Sequence, residues 1–139
     1  MGRAARTLST ANGGDDVICG GGDNDTIDGG SGVDNVRGEA GNDTILGGGG
    51  SDSLDGGTGQ DVIKGDTGQD GIFGADDHDE LYGQDHNDLI FGDPQNDDIF
   101  GGADDDFESG GDATSDKCDA PSGGPGSDSS DGTCEPFVQ

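Results

Sequence analysis

The chain has 139 residues, with 32 Gly and 32 acidic residues against 5 Lys plus Arg, for a formal charge of −27. The acids are 28 Asp and only 4 Glu, while Leu, Ile, Val and Phe together number 22. An ordinary globular domain is ruled out, because so few apolar side chains cannot offset roughly 1–2 kcal/mol of backbone entropy per ordered residue. The charge also disfavours nucleic acid and anionic membrane surfaces as partners. No apolar run approaches the ~18 residues of a membrane span. A chain of this kind either stays unfolded or binds cations. The preference for Asp over Glu, together with the Gly content, favours the second, since a random acidic tail needs neither.

In chain order, residues 1–10 (MGRAARTLST) lack the 7–15-residue apolar core of a secretory signal and read as a leader or an attached remnant. From Ala11 the chain repeats with a period of nine. The blocks are ANGGDDVIC, GGGDNDTID, GGSGVDNVR, GEAGNDTIL, GGGGSDSLD, GGTGQDVIK, GDTGQDGIF, GADDHDELY, GQDHNDLIF and GDPQNDDIF, and an eleventh, GGADDDFES, ends at Ser109. Position six is always Asp: Asp16, Asp25, Asp34, Asp43, Asp52, Asp61, Asp70, Asp79, Asp88, Asp97 and Asp106. Position eight is aliphatic in the first ten blocks: Ile18, Ile27, Val36, Ile45, Leu54, Ile63, Ile72, Leu81, Ile90 and Ile99. A period in this range marks a repeat architecture in which each unit buries its face only against its neighbours.

Within a block, positions one to six are turn formers and positions seven to nine make a short strand with the aliphatic residue on one side. Two blocks close one coil of 18 residues, and successive coils stack as parallel strands about 4.8 Å apart. The expected fold is all-β, a right-handed parallel β-roll spanning 11–109. Its two facing core columns are Ile18, Val36, Leu54, Ile72, Ile90 and Ile27, Ile45, Ile63, Leu81, Ile99. The same spacing stacks Asp16, Asp34, Asp52, Asp70, Asp88 and Asp106 on one edge and Asp25, Asp43, Asp61, Asp79 and Asp97 on the other. Stacked carboxylates repel unless a cation lies between them. Five gaps on one edge and four on the other allow up to nine ions, each held by two Asp and by backbone carbonyls of the turns. Calcium suits such sites, because it accepts 6–8 oxygens in flexible geometry, whereas zinc prefers the N and S ligands that are missing here. Nine Ca2+ would bring +18 against the −27 of the chain.

The blocks GGSGVDNVR (29–37), GGGGSDSLD (47–55) and GGTGQDVIK (56–64) resemble, at every defined position, the haemolysin-type calcium-binding nonapeptide G-G-x-G-x-D-x-U-x of the repeats-in-toxin (RTX) family, where U is a large aliphatic. The resemblance covers about 11–109. It implies a calcium-bound β-roll that accompanies bacterial secreted proteases, lipases, epimerases, haemolysins and adhesins, and that aids folding and type I secretion. A secreted, calcium-binding structural module without enzymatic activity is therefore expected, disordered without metal. The alternatives are an adhesion or interaction module and, less favoured, an accessory fragment of a secreted enzyme. The expected partners are calcium ions and a neighbouring domain of a larger exoprotein.

Position four is mostly Gly up to Gly68, then becomes Asp77, His86, Gln95 and Asp104. The turns at 74–79, 83–88 and 92–97 are thus expected to be the poorer sites. His78 and His86 fall in these turns and read as surface residues. Position nine turns aromatic at Phe73, Tyr82, Phe91 and Phe100, with two rings expected outward on each face, as cross-strand stacks or as a docking patch. The sequons Asn24-Asp25-Thr26 and Asn42-Asp43-Thr44 are by-products of the repeat. No EF-hand, nucleophile elbow, P-loop or metalloprotease helix is present. Residues 110–139 hold two degenerate nonapeptides, 111–119 and 123–131, and form a Cys-containing cap. Cys118 and Cys134 are 16 residues apart, near the 18 of a coil. They are expected to bridge if the chain is extracellular, and otherwise to remain thiols. Cys19 is left over, free or paired between chains.

Overall fold

A computed structural model describes residues 8–111, 116–118, 129–130 and 135–136. The described residues form strands and turns without a helix. In chain order the strands are β1 (Leu8–Thr10), β2 (Val17–Gly22), β3 (Thr26–Ser31), β4 (Asn35–Ala40), β5 (Thr44–Gly49), β6 (Ser53–Thr58), β7 (Val62–Thr67) and β8 (Gly71–Asp76). They continue with β9 (Glu80–Asp85), β10 (Leu89–Phe91), β11 (Asp98–Ala103), β12 (Phe107–Ser109), β13 (Lys117–Cys118), β14 (Ser129–Ser130) and β15 (Glu135–Pro136).

Odd-numbered strands make one parallel sheet, β1-β3-β5-β7-β9-β11-β13-β15, and even-numbered strands make the other, β14-β12-β10-β8-β6-β4-β2. The register places Ile27 beside Ile45 and Val36 beside Leu54, so equivalent residues sit 18 apart. The molecule is thus a parallel β-solenoid of about six coils. Its core is the two expected aliphatic columns, from Ile27 to Ile99 and from Ile18 to Ile90. Ile18 is 9% exposed and the other nine residues are fully buried. Cys118 continues the first column. Glu108 continues the second, fully buried beside Ile90, with its Oε1 accepting from the Gly101 N–H at 2.7 Å.

The strands are longer than the sequence suggests. Most run six residues, from position seven through position three of the next block. Glycine-rich sequence signals turns, yet any backbone that repeats its conformation in every coil can join an inter-coil ladder. Gly30 pairs with Gly48 and Ser31 with Gly49, while the intervening position-one glycine is skipped. The sheet also begins before residue 11, since β1 pairs with β3.

The turns bend at positions two and four, both with positive φ: 99° at Gly30 and 134° at Gly32. Position two shares the demand that the sequence signals only at position four. In the later turns non-glycine residues adopt the same conformation, with φ 73° at Ala75, 85° at Asp77, 81° at Gln84, 81° at His86, 68° at Asp93 and 78° at Gln95. The left-handed region costs a residue with a Cβ about 1–2 kcal/mol. The degenerate turns therefore keep their shape, and the strain is concentrated in three consecutive turns.

Both aromatic pairs stack across strands as expected. Phe73 and Phe91 are 5.5 Å apart between centroids and Tyr82 and Phe100 are 4.8 Å apart, each pair within 7° of parallel. Phe107 extends the first stack, tilted by 53° against Phe91. Cys118 is disulfide-bonded, and Cys19 is free and exposed. Cys134, the expected partner of Cys118, lies outside the described residues.

Candidate metal centre

Position six ends each turn and leads into a strand whose next-but-one residue is the inward aliphatic, so the Asp side chain also faces inward. Asp25, Asp34, Asp43, Asp52, Asp61, Asp70, Asp79, Asp88, Asp97 and Asp106 are all at most 4% exposed, while Asp16 in the first coil is half-buried. The carboxylates line the interior of the turns rather than an open edge.

Each carboxylate also reaches the neighbouring coil. The Asp34 Oδ1 accepts from the Asp16 N–H at 2.8 Å, and the pattern continues through Asp52, Asp70, Asp88 and Asp106. On the other side Asp43 accepts from the Asp25 N–H at 2.7 Å, followed by Asp61, Asp79 and Asp97. Asp116 adds a further rung, accepting from the Asp97 N–H at 3.0 Å. The sequence places Asp116 at position six of the degenerate block 111–119, but the expected ladder does not include it. It follows Asp97 by 19 residues rather than 18, because one residue is inserted between the eleventh block and this one. These bonds bring each carboxylate against a backbone donor, which relieves part of the repulsion expected of bare stacked Asp.

One oxygen of each carboxylate is used in this way. The Oδ2 atoms of Asp34, Asp43, Asp52, Asp61, Asp70, Asp79, Asp88 and Asp97 are buried and have no hydrogen-bond partner. They point at position-one glycines. A methyl group on Gly29 would lie 2.7 Å from the Asp34 Oδ2 and 2.7 Å from the Gly47 carbonyl oxygen. On Gly47 it would lie 2.7 Å from the Asp52 Oδ2 and 2.8 Å from the Gly65 carbonyl oxygen. Position one is therefore Gly for space, not for φ: its missing side chain leaves a cradle on which oxygens from two adjacent coils converge.

The electrostatics follow from burial. Desolvation pushes Asp61 and Asp70 up to about 6, Asp79 and Asp88 to about 7, and Asp97 to about 8. The backbone N–H that each accepts opposes the rise, and the carboxylate one coil earlier adds to it. Asp43 and Asp52 are raised for the same reasons. Such carboxylates are poor anions in an empty site and gain from a cation that replaces lost hydration.

A second ladder, not read from the sequence, runs through position five. Asp15 accepts from the Val33 N–H at 2.9 Å, Asn24 from Asn42 at 3.0 Å, Asn42 from Gln60 at 3.2 Å and Asn87 from Asp105 at 3.3 Å. Its signal was an acceptor side chain at position five, in residue types too varied to stand out. It also explains the two sequons, whose asparagine side chains are engaged in stacking. His86 and His78 are exposed, with ring nitrogens against the Asp85 and Asn96 carbonyls. Among the described residues no three His, Cys, Asp or Glu side chains gather as a metal cluster. A cation must therefore draw on backbone carbonyls beside the aspartates. An all-oxygen set of this kind fits a hard, flexible cation such as Ca2+.

Fold and site together define an acidic parallel β-solenoid with oxygen-lined, repeating turns. The chain belongs to the RTX calcium-binding nonapeptide repeat family, whose model matches in four copies, at 10–45, 28–63, 46–81 and 73–108. No curated protein matches the chain as a relative.

Proposed function

We propose that the chain is a calcium-binding structural module of a secreted protein, without catalytic activity of its own, that folds as its turns take up Ca2+. One observation carries this reading: in coil after coil a buried Asp oxygen without a hydrogen-bond partner faces a carbonyl oxygen across a space that only Gly leaves open. Asp16, Asp25, Asp34, Asp43, Asp52, Asp61, Asp70, Asp79, Asp88, Asp97 and Asp106 would hold the ions together with turn carbonyls, and Asp116 adds a rung to the expected nine gaps. Bound calcium supplies the positive charge that the composition lacks. Sites of the extracellular class, with Kd about 10⁻⁴–10⁻³ M, fill outside a cell and stay empty within it. That difference supports export as an unfolded chain and rolling up on arrival. The strained turns at 74–79, 83–88 and 92–97 are the weaker sites.

Circular dichroism in chelator and during calcium titration tests the reading. Coil should give way to β-structure at millimolar Ca2+, with magnesium far less effective. A chain that holds its β-structure in chelator at neutral pH would overturn it.

A further inference from the structure

The outer faces of the two sheets differ. On the odd-numbered sheet the aromatic pair is satisfied by charge: Lys64 lies 5.4 Å over the Tyr82 ring, the Tyr82 hydroxyl donates to Glu80, and Asp98 pairs with Lys117 at 3.4 Å. On the even-numbered sheet, β8, β10 and β12 present Gly71, Phe73, Leu89, Phe91 and Phe107 outward without a charge among them. Register places Leu89 between Gly71 and Phe107, and Phe91 beside Phe73. Leu89 is 43% exposed. Gly71 leaves a dip beside it, over which Phe73 leans, since a methyl group there would meet the ring at 3.7 Å. On the two preceding strands of the same sheet, β4 and β6, the outward residues are Asn35, Arg37, Ser53 and Asp55, which are polar.

Acids surround this strip. Asp55 is next to Phe73 in register, and Asp76, Asp93 and Asp105 are exposed at the strand ends. An apolar, aromatic centre inside a charged rim is the anatomy of a protein interface rather than of a solvated face. We propose that the outer face of β8, β10 and β12 docks a folded protein surface with an apolar centre and a rim of Lys and Arg. Charge chooses this occupant: a second copy of the chain would set acid against acid. The strip is small, so the contact belongs to the transient class and depends on salt.

The test uses the full chain in millimolar Ca2+, with its β-structure checked separately so that a failure to roll up is distinguishable from a failure to dock. The probes are a synthetic peptide of alternating leucine and lysine, as a mimic of the basic apolar surface, and a serine–lysine peptide of equal length and charge. The leucine–lysine peptide should shift the NMR signals of Phe73, Leu89, Phe91 and Phe107 and bind at least tenfold more tightly. Leu89→Ser should weaken it at least tenfold, and Phe100→Ser, on the opposite sheet, less than twofold. Equal binding of both peptides, indifference to Leu89→Ser, or a sedimenting dimer that Leu89→Ser dissolves would each overturn the proposal.

Discussion

Gly47→Ala isolates the role of space at position one. Gly47 does not have a positive φ, so alanine meets no backbone penalty there. Its methyl group would lie 2.7 Å from the Asp52 Oδ2, 2.8 Å from the Gly65 carbonyl oxygen and 3.2 Å from a Leu54 methyl, where ordinary contact needs about 3.4–4 Å. The carbonyl is backbone of a neighbouring coil and can retreat only if that coil shifts. Overpacking of this kind costs about 1–3 kcal/mol. At about 2 kcal/mol the calcium midpoint would move about 30-fold if one ion bore the loss, and only about 1.5-fold if nine ions shared it. The size of the shift therefore reports how many ions fold together. Gly49→Ala is the matched control, since its methyl group meets only the Thr67 hydroxyl at 3.5 Å. Calcium titrations of both variants by circular dichroism check the reasoning, and equal midpoints for Gly47→Ala and Gly49→Ala would refute it.

Two further outcomes follow from the ladder. Asp61→Asn keeps an acceptor for the Asp43 N–H but removes a buried charge, so it should stabilise the metal-free roll while weakening calcium uptake. Asp61→Ala should weaken both, by about 1–3 kcal/mol for the orphaned amide, as seen in denaturation curves in chelator near pH 4, where the metal-free roll is most stable, and in calcium titrations at neutral pH. The raised carboxylates also set a pH dependence. Their folded values of about 6 to 8 lie above the unfolded 3.8. The metal-free roll is then most stable below about pH 4 and loses that stability as pH rises through 6 to 8. Calcium affinity should rise over the same window, which titrations at pH 5, 6, 7 and 8 would show.

Much of this was legible because one phase carries two messages. Asp at position six and an aliphatic at position eight, two residues apart, gave the coil length, the pairing and the core columns, since the side chains of both face the same interior. The glycines were harder to interpret. Composition marks all of them as turn formers, yet Gly29 is present for space alone, whereas Gly30 and Gly32 need positive φ as well as room, and only packed neighbours tell these apart. Asn24, Asp15 and Asn87 carry an inter-coil ladder because each has an acceptor oxygen, a shared property that the residue letters conceal. Asp116 is position six of the degenerate block 111–119, and a strict count leaves it out of the ladder because that block departs from the count by one inserted residue.

The aspartate ladder has a direction. Each buried amide in it is closed by a residue 18 or 19 positions further along the chain, never by one already made. Removing the last coil would strip partners from buried amides of the coil before it. Removing the first would take the donors from the Asp34 and Asp43 carboxylates, and the backbone acceptors from the Asn35 and Thr44 amides, which lie nearer solvent. The exposed position-five bonds run the other way, but water can replace them. The two ends of the ladder are therefore unlike: the first leaves carboxylates that a cation or water can serve, and the last leaves buried amides with nothing to accept from them.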